Sequence, residues 1–203
     1  MPLLPMLKRN SVIILAVALW IPAVGYGIDV LWKYSTTPGR AASAPPSWPK
    51  DAGERVPGKF ELVMFAHPQC PCTAASLDEM AVFLAHAAGK VDVQVYFFKP
   101  SAEPDSWAKS DTWKTASAMP GVHAFIDPDA AMAQKFGAFT SGQTMLYDSQ
   151  GQLLFKGGLT AFRGHSGDNT GLSLVTALVN GQRPSASDLP LQTRVFGCTL
   201  QGE

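Results

Sequence analysis

The sequence predicts an α/β domain, a central mixed sheet flanked by helices, preceded by one N-terminal transmembrane helix. Three observations predict it. The stretch Ser11 to Ile28 carries no charge, short apolar runs alternate with helical periodicity between Phe60 and Gly181, and Cys70-Pro71-Cys72 falls where a strand passes into a helix. The chain has 203 residues, 46% of them apolar, which suffices for one globular domain and accessory segments. Its 16 basic and 16 acidic residues balance, and no Lys/Arg stripe is interleaved with aromatics, so nucleic acid is not an expected partner.

The charge-free stretch is about 27 Å long as a helix, close to the hydrocarbon thickness of a bilayer. Lys8 and Arg9 precede it and Asp29 ends it. The positive-inside bias then keeps residues 1–10 cytoplasmic, sets residues 11–32 as the anchor in the cell membrane, and exports the rest of the chain to the periplasm or another extracytoplasmic space. Trp32 and Tyr34 suit the far interface. Ala42-Ser43-Ala44 resembles a signal-peptidase site, but Asp29, Lys33 and Arg40 separate it from the apolar run, which favours an uncleaved anchor. Residues 33–58 are rich in Ser, Thr, Ala and Pro and read as a flexible linker.

The domain is expected over residues 59–182. Phe60 to Ala66 is a short apolar run that stops at His67-Pro68, as a buried strand does. Pro71 suits the first position of a helix, where its missing N–H is not needed, and Leu77, Met80, Ala81, Leu84 and Ala88 recur at helical spacing until Gly89. Val91, Val93, Val95 and Phe97 alternate with Asp92, Gln94 and Tyr96 as a second strand, parallel to the first through the helix.

An irregular or helical stretch follows through Trp107 and Trp113, both read as core or interface residues. His123 to Ile126 reads as a strand and His123 as structural. Asp127-Pro128-Asp129 is placed to cap a short helix ending at Phe136-Gly137. Thr144 to Tyr147 and Leu153 to Phe155 flank Ser149-Gln150-Gly151 as a hairpin. Leu172, Val175, Leu178 and Val179 mark a closing helix ending at Gly181, with Ser166 or Asp168 as its cap. Residues 183–203 remain as a C-terminal tail carrying Cys198.

This element order, with a cysteine motif at the strand-to-helix turn, resembles the thioredoxin-like superfamily. The combination HPQCPC, FGAFTSGQTMLYDSQGQLLFKGG and RGHSGDN is similar to the membrane-anchored RedB-type proteins. The sequence departs from ordinary thioredoxins in two places. Cys-x-x-Cys is shortened to Cys-x-Cys, and Gln143 stands where the resemblance places the thioredoxin cis-proline. The resemblance implies that the loop after the last strand, with Arg163 and His165, approaches the cysteine motif. It thereby makes Gln143, Arg163 and His165 candidate substrate-binding residues.

A cysteine at a helix N-terminus meets unpaired N–H groups and the positive end of the helix dipole, which stabilise its thiolate. Cys70 is therefore the candidate nucleophile. Residues two apart in a helix point about 160° away from each other, so Cys70 and Cys72 bond only if Cys70 is the non-helical residue before Pro71. The small ring would then be strained and easily reduced. Cys198 is another partner if the tail folds back, or else makes a static bridge of the kind common in exported proteins.

The expected reaction is thiol-disulfide exchange, with Cys70 attacking and Cys72 resolving. It needs no cofactor, and the partner is a protein or small thiol or disulfide. A second reading uses His67, Cys70 and Cys72, with His165 as a fourth ligand, as a copper- or zinc-binding metallochaperone-like module. A third is an inert thioredoxin-like adaptor.

Overall fold

A computed structural model describes residues 3–87, 89–182 and 184–200, the side chains of residues 3–10 and of Ala186 excepted. The helical position expected at Ala88, the first two residues of the expected cytoplasmic segment, and Arg183 and the last three residues of the tail lie outside the described residues. The chain divides into two compact units, Met1–Thr37 and Pro38–Glu203.

The first unit is one helix, α1 (Leu3–Thr36), longer at both ends than the expected span of residues 11–32. Its portion Ser11–Thr36 is long and apolar enough to cross a membrane. Lys33 and Asp29 pair at 2.8 Å one turn apart near its C-terminus.

The second unit is built on a six-stranded mixed sheet whose strands lie side by side in the order β3 (Val122–Pro128), β2 (Val91–Lys99), β1 (Phe60–Ala66), β4 (Gln143–Tyr147), β5 (Leu153–Gly157) and β6 (Leu191–Gln192). Strand β1 (Phe60–Ala66) leads through the Cys-Pro-Cys turn into α2 (Pro71–Ala87) and then into β2 (Val91–Lys99), which pairs parallel to β1. Two short helices follow, α3 (Asp105–Ala108) and α4 (Asp111–Ala118), before β3 (Val122–Pro128) pairs parallel to β2. Next come α5 (Ala131–Lys135), the antiparallel hairpin β4 (Gln143–Tyr147) and β5 (Leu153–Gly157), and α6 (Thr170–Val179). Strand β4 lies antiparallel beside β1, so β1 is central.

Alternation along the strands sorts side chains into two cores. Leu62, Met64 and Ala66 face one cluster with Val93, Val95, Phe97 and Leu146, covered by α2 and α6 through Leu77, Met80, Phe83, Val175 and Leu178. Val63 and Phe65 face a second cluster with Tyr96, Phe136, Met145 and Tyr147. Because both faces of β1 are covered, its sequence is a continuous apolar run interrupted only by the buried Glu61.

The cap of α5 is as expected in kind. Asp127 accepts hydrogen bonds from Met132 N and Ala133 N at 2.7 and 3.0 Å. The cap of α6 is not. Asn169, the residue immediately before the first turn, caps it in place of Ser166 or Asp168, accepting from Leu172 N at 2.7 Å.

Two segments depart from the expected organisation. Residues 33–36 belong to α1, and residues 38–57 lie against the sheet instead of forming a flexible linker. Trp48 stands edge-on to Phe136 and Tyr147 at 5.1 and 5.3 Å, Tyr147 donates to Pro45 O at 3.2 Å, and Leu153 N donates to Pro46 O at 2.9 Å. Few apolar residues suffice, since the aromatic face of the second cluster supplies the partners and the prolines preset an extended backbone. The C-terminal tail likewise joins the domain. Its β6 (Leu191–Gln192) pairs parallel to β5, and Thr199 bridges to Thr140.

Candidate active site at three cysteines

Strand β1 ends at Ala66, and His67-Pro68-Gln69 turns the chain so that Cys70 immediately precedes the first residue of α2. Cys70 N donates to His67 O at 3.1 Å, and Thr112 Oγ1 holds Pro68 O at 2.9 Å. A ring of hydrogen bonds fixes this turn to the loop before β4. His67 N donates to Ser141 Oγ at 2.9 Å, and Thr73 Oγ1 donates to His67 O at 2.8 Å. Thr73 has one hydroxyl proton, already used, so Ser141 must donate to Thr73 Oγ1 across their 2.9 Å contact.

Three thiols converge here. Cys70 and Cys72 are 2% and 4% exposed, Cys198 is half-buried, and Cys198 Sγ donates to Cys70 Sγ at 2.8 Å. The hydrogen bond from Cys72 holds the Cys70 thiol down at about 4, and the Cys198 thiol and the backbones of Cys198 and Cys72 reinforce this against the opposing effect of burial. The same bond pushes the Cys72 thiol up, with burial adding to it. Burial and the bond to Cys70 raise Cys198 to about 11, and the Arg163 guanidinium draws it back. Taken together, these opposite shifts leave the three neighbouring thiols sharing a single negative charge at neutral pH.

The tail is held in place from several directions. Cys198 O accepts from Ser141 N at 2.8 Å, Phe139 O from Leu200 N at 2.9 Å, and Gly197 O from Arg163 Nη1 at 2.7 Å. Gly197 passes so close to Ser141 O that a Cβ would collide with it.

The loop after β5 does approach the motif: Gly164 lies beside Pro71, and its backbone bonds to Cys72. Glu79, buried on α2, anchors this loop by accepting from Gly167 N and from Asn169 Nδ2, the latter at 3.1 Å.

The candidate substrate-binding residues stand differently. Arg163 holds the tail through Gly197 O, and His165 is exposed and turned back on its own loop, its Nδ1 2.7 Å from Arg163 O. Gln143 is 1% exposed at the start of β4, its Nε2 donating to Gly157 O at 3.3 Å. His67 packs on Phe98 and Trp107, and burial lowers its pKa.

Among the described residues no group of three His, Cys, Asp or Glu is placed to hold a metal ion, so His67, Cys70, Cys72 and His165 do not form the ligand set considered from sequence. Imidazole Nδ1 of His67 instead accepts from Gln69 N at 3.2 Å. Ser141, Thr73 and Glu79 escaped sequence reasoning. Hydroxyls and single carboxylates are common, so the sequence carries no signal that singles these three out.

No family model and no curated protein matches the chain. Among solved structures, a hypothetical protein from Sinorhizobium meliloti 1021 is 20% identical, the match covering 83% of this chain and 98% of that one at a TM-score of 0.57. An uncharacterized conserved protein from Geobacillus kaustophilus is 15% identical over 83% of this chain and 95% of that one, at 0.54. StoA from Bacillus subtilis is 15% identical over 58% and 86%, at 0.39, too loose a superposition to argue from. The likeness is one of fold, and the strand order, with β1, β2 and β3 parallel and β4 and β5 following as an antiparallel hairpin beside β1, is the thioredoxin-like arrangement.

Proposed function

We propose that this chain is a membrane-anchored, extracytoplasmic thiol-disulfide oxidoreductase that exchanges disulfides with a protein or small thiol partner through Cys70, Cys72 being the second cysteine of its motif. The observation that carries the reading is the convergence of two thiols on a third at the N-terminus of α2. A thiolate held at about 4 is ionised at neutral pH and is also a good leaving group, so a disulfide formed on Cys70 is readily passed on. Both properties favour an oxidising couple. The apolar α1, with Lys8 and Arg9 near its start, supports an anchor whose N-terminus is cytoplasmic.

The test is equilibration of the full chain in detergent with glutathione buffers of graded potential, followed by mass spectrometry of the alkylated protein. A titratable internal disulfide that disappears in Cys70→Ser is the expected result. A chain whose thiols stay unchanged across the series, or a disulfide that survives Cys70→Ser, overturns the reading.

A further inference from the structure

We infer that Cys198, and not Cys72, is the thiol that resolves the mixed disulfide formed on Cys70. This rests on the exchange reading above and adds the identity of the second reacting sulfur.

Two features single out Cys198. Its sulfur is 2.8 Å from that of Cys70, and it arrives on a strand-like tail whose position is set by Ser141 N, Phe139 O and Arg163, with no covalent restraint between the two cysteines short of 128 residues. A loop this long closes without ring strain. Cys72 has the opposite situation: one residue separates it from Cys70, it belongs to the rigid first turn of α2, and bonding the pair closes a small strained ring. Cys72 instead lowers the Cys70 thiol from within the motif, whereas the sulfur that stands 2.8 Å from Cys70 Sγ is that of Cys198.

Gly197 and Arg163 make the tail's placement specific. The absent side chain at Gly197 lets the backbone lie against Ser141 O, and the guanidinium that binds Gly197 O also stands near enough to Cys198 to favour its ionised form. Arg163 is thus a positioning residue for Cys198. Cys70 is almost fully covered, so an incoming disulfide must displace its cover before it reacts, and the return of the tail brings Cys198 back onto the Cys70 sulfur.

The electrons balance with a disulfide R–S–S–R′ as the oxidant. The Cys70 thiolate attacks one sulfur, forming Cys70–S–S–R and releasing R′S⁻, which takes up the proton lost from Cys198. The Cys198 thiolate then attacks Cys70 Sγ, the Cys70–SR bond breaks, and RS⁻ leaves and is protonated by solvent. Two electrons pass to the substrate, and the protein holds a Cys70–Cys198 disulfide.

The test uses the reduced full chain in detergent with glutathione disulfide, quenched by acid and read by mass spectrometry with peptide mapping. Cys198→Ser should accumulate a Cys70–glutathione adduct, whereas Cys72→Ser should pass through it to a Cys70–Cys198 disulfide. Arg163→Gln should slow resolution by about tenfold and raise its pH midpoint, with Arg163→Lys recovering part of both. An adduct that persists in Cys72→Ser and clears in Cys198→Ser overturns the assignment while leaving exchange at Cys70 intact. A wild-type chain that forms neither adduct nor disulfide at Cys70 instead overturns the exchange reading itself. An unmoved pH midpoint in Arg163→Gln removes Arg163 from the step.

Discussion

Thr73 Oγ1 and Ser141 Oγ lie 2.9 Å apart and close a hydrogen-bond ring through the backbone of His67. The ring ties the start of α2 to the loop that seats the tail, so the Cys70 turn and the Cys198 strand share one anchor. Replacing Ser141 by Ala leaves His67 N without its acceptor and removes the proton that Thr73 receives. Ser141→Ala should lower unfolding stability by about 1–3 kcal/mol, measured by urea titration. Ser141→Thr, which keeps the hydroxyl, tests whether the bond or the space matters.

The ultraviolet absorbance of the reduced protein should show a thiolate that persists down to about pH 4. Because the bond from Cys72 contributes most to the lowering, Cys72→Ala should move the midpoint upward further than Cys198→Ala. Equal shifts, or none, contradict the hydrogen-bond arrangement at Cys70.

A methyl group at residue 197 would fall on Ser141 O, so Gly197→Ala should push the tail off its seat. Cys198 should then be alkylated faster by iodoacetamide in the reduced chain, and the Cys70 midpoint should rise as it loses one donor. Unchanged alkylation of Cys198 would show that the tail tolerates the added carbon.

Glu61 is fully buried on β1, and burial pushes its carboxyl up to about 7 although it accepts a hydrogen bond from Val56 N. Its folded-state pKa lies above its ordinary value, so the folded state holds the proton more tightly than the unfolded chain. Stability should therefore be highest below about pH 4.5 as far as this group is concerned, and fall as pH rises through about 7, by up to about 3 kcal/mol. Glu61→Gln should flatten that part of the pH-stability profile in thermal melts.

Periodicity made the central part of the fold legible. The apolar run of β1, the spacing of Leu77, Met80 and Leu84 in α2 and the alternation of Val91, Val93 and Val95 in β2 each reflect burial by near neighbours in sequence. The α3 and α4 turns were less distinct, being 4 and 8 residues long and too short to establish a period. Residues 38–57 and β6 gave no such signal, because their few apolar side chains are placed by partners such as Phe136, Tyr147 and Phe155.

From its residues alone this protein declared an apolar N-terminal helix, an α/β sheet and a Cys70 preceding a proline-initiated helix, since each depends on local pattern or on the intrinsic field of a helix end. Tertiary structure alone decided which groups surround that sulfur. The approach of Cys198, the Ser141 and Thr73 ring, the Glu79 anchor and the withdrawal of Gln143 into the sheet all depend on contacts between segments 68 to 128 residues apart or on strand register. No local preference encodes such contacts. They follow from how the whole chain packs, and packing set Cys198 rather than Gln143 beside Cys70.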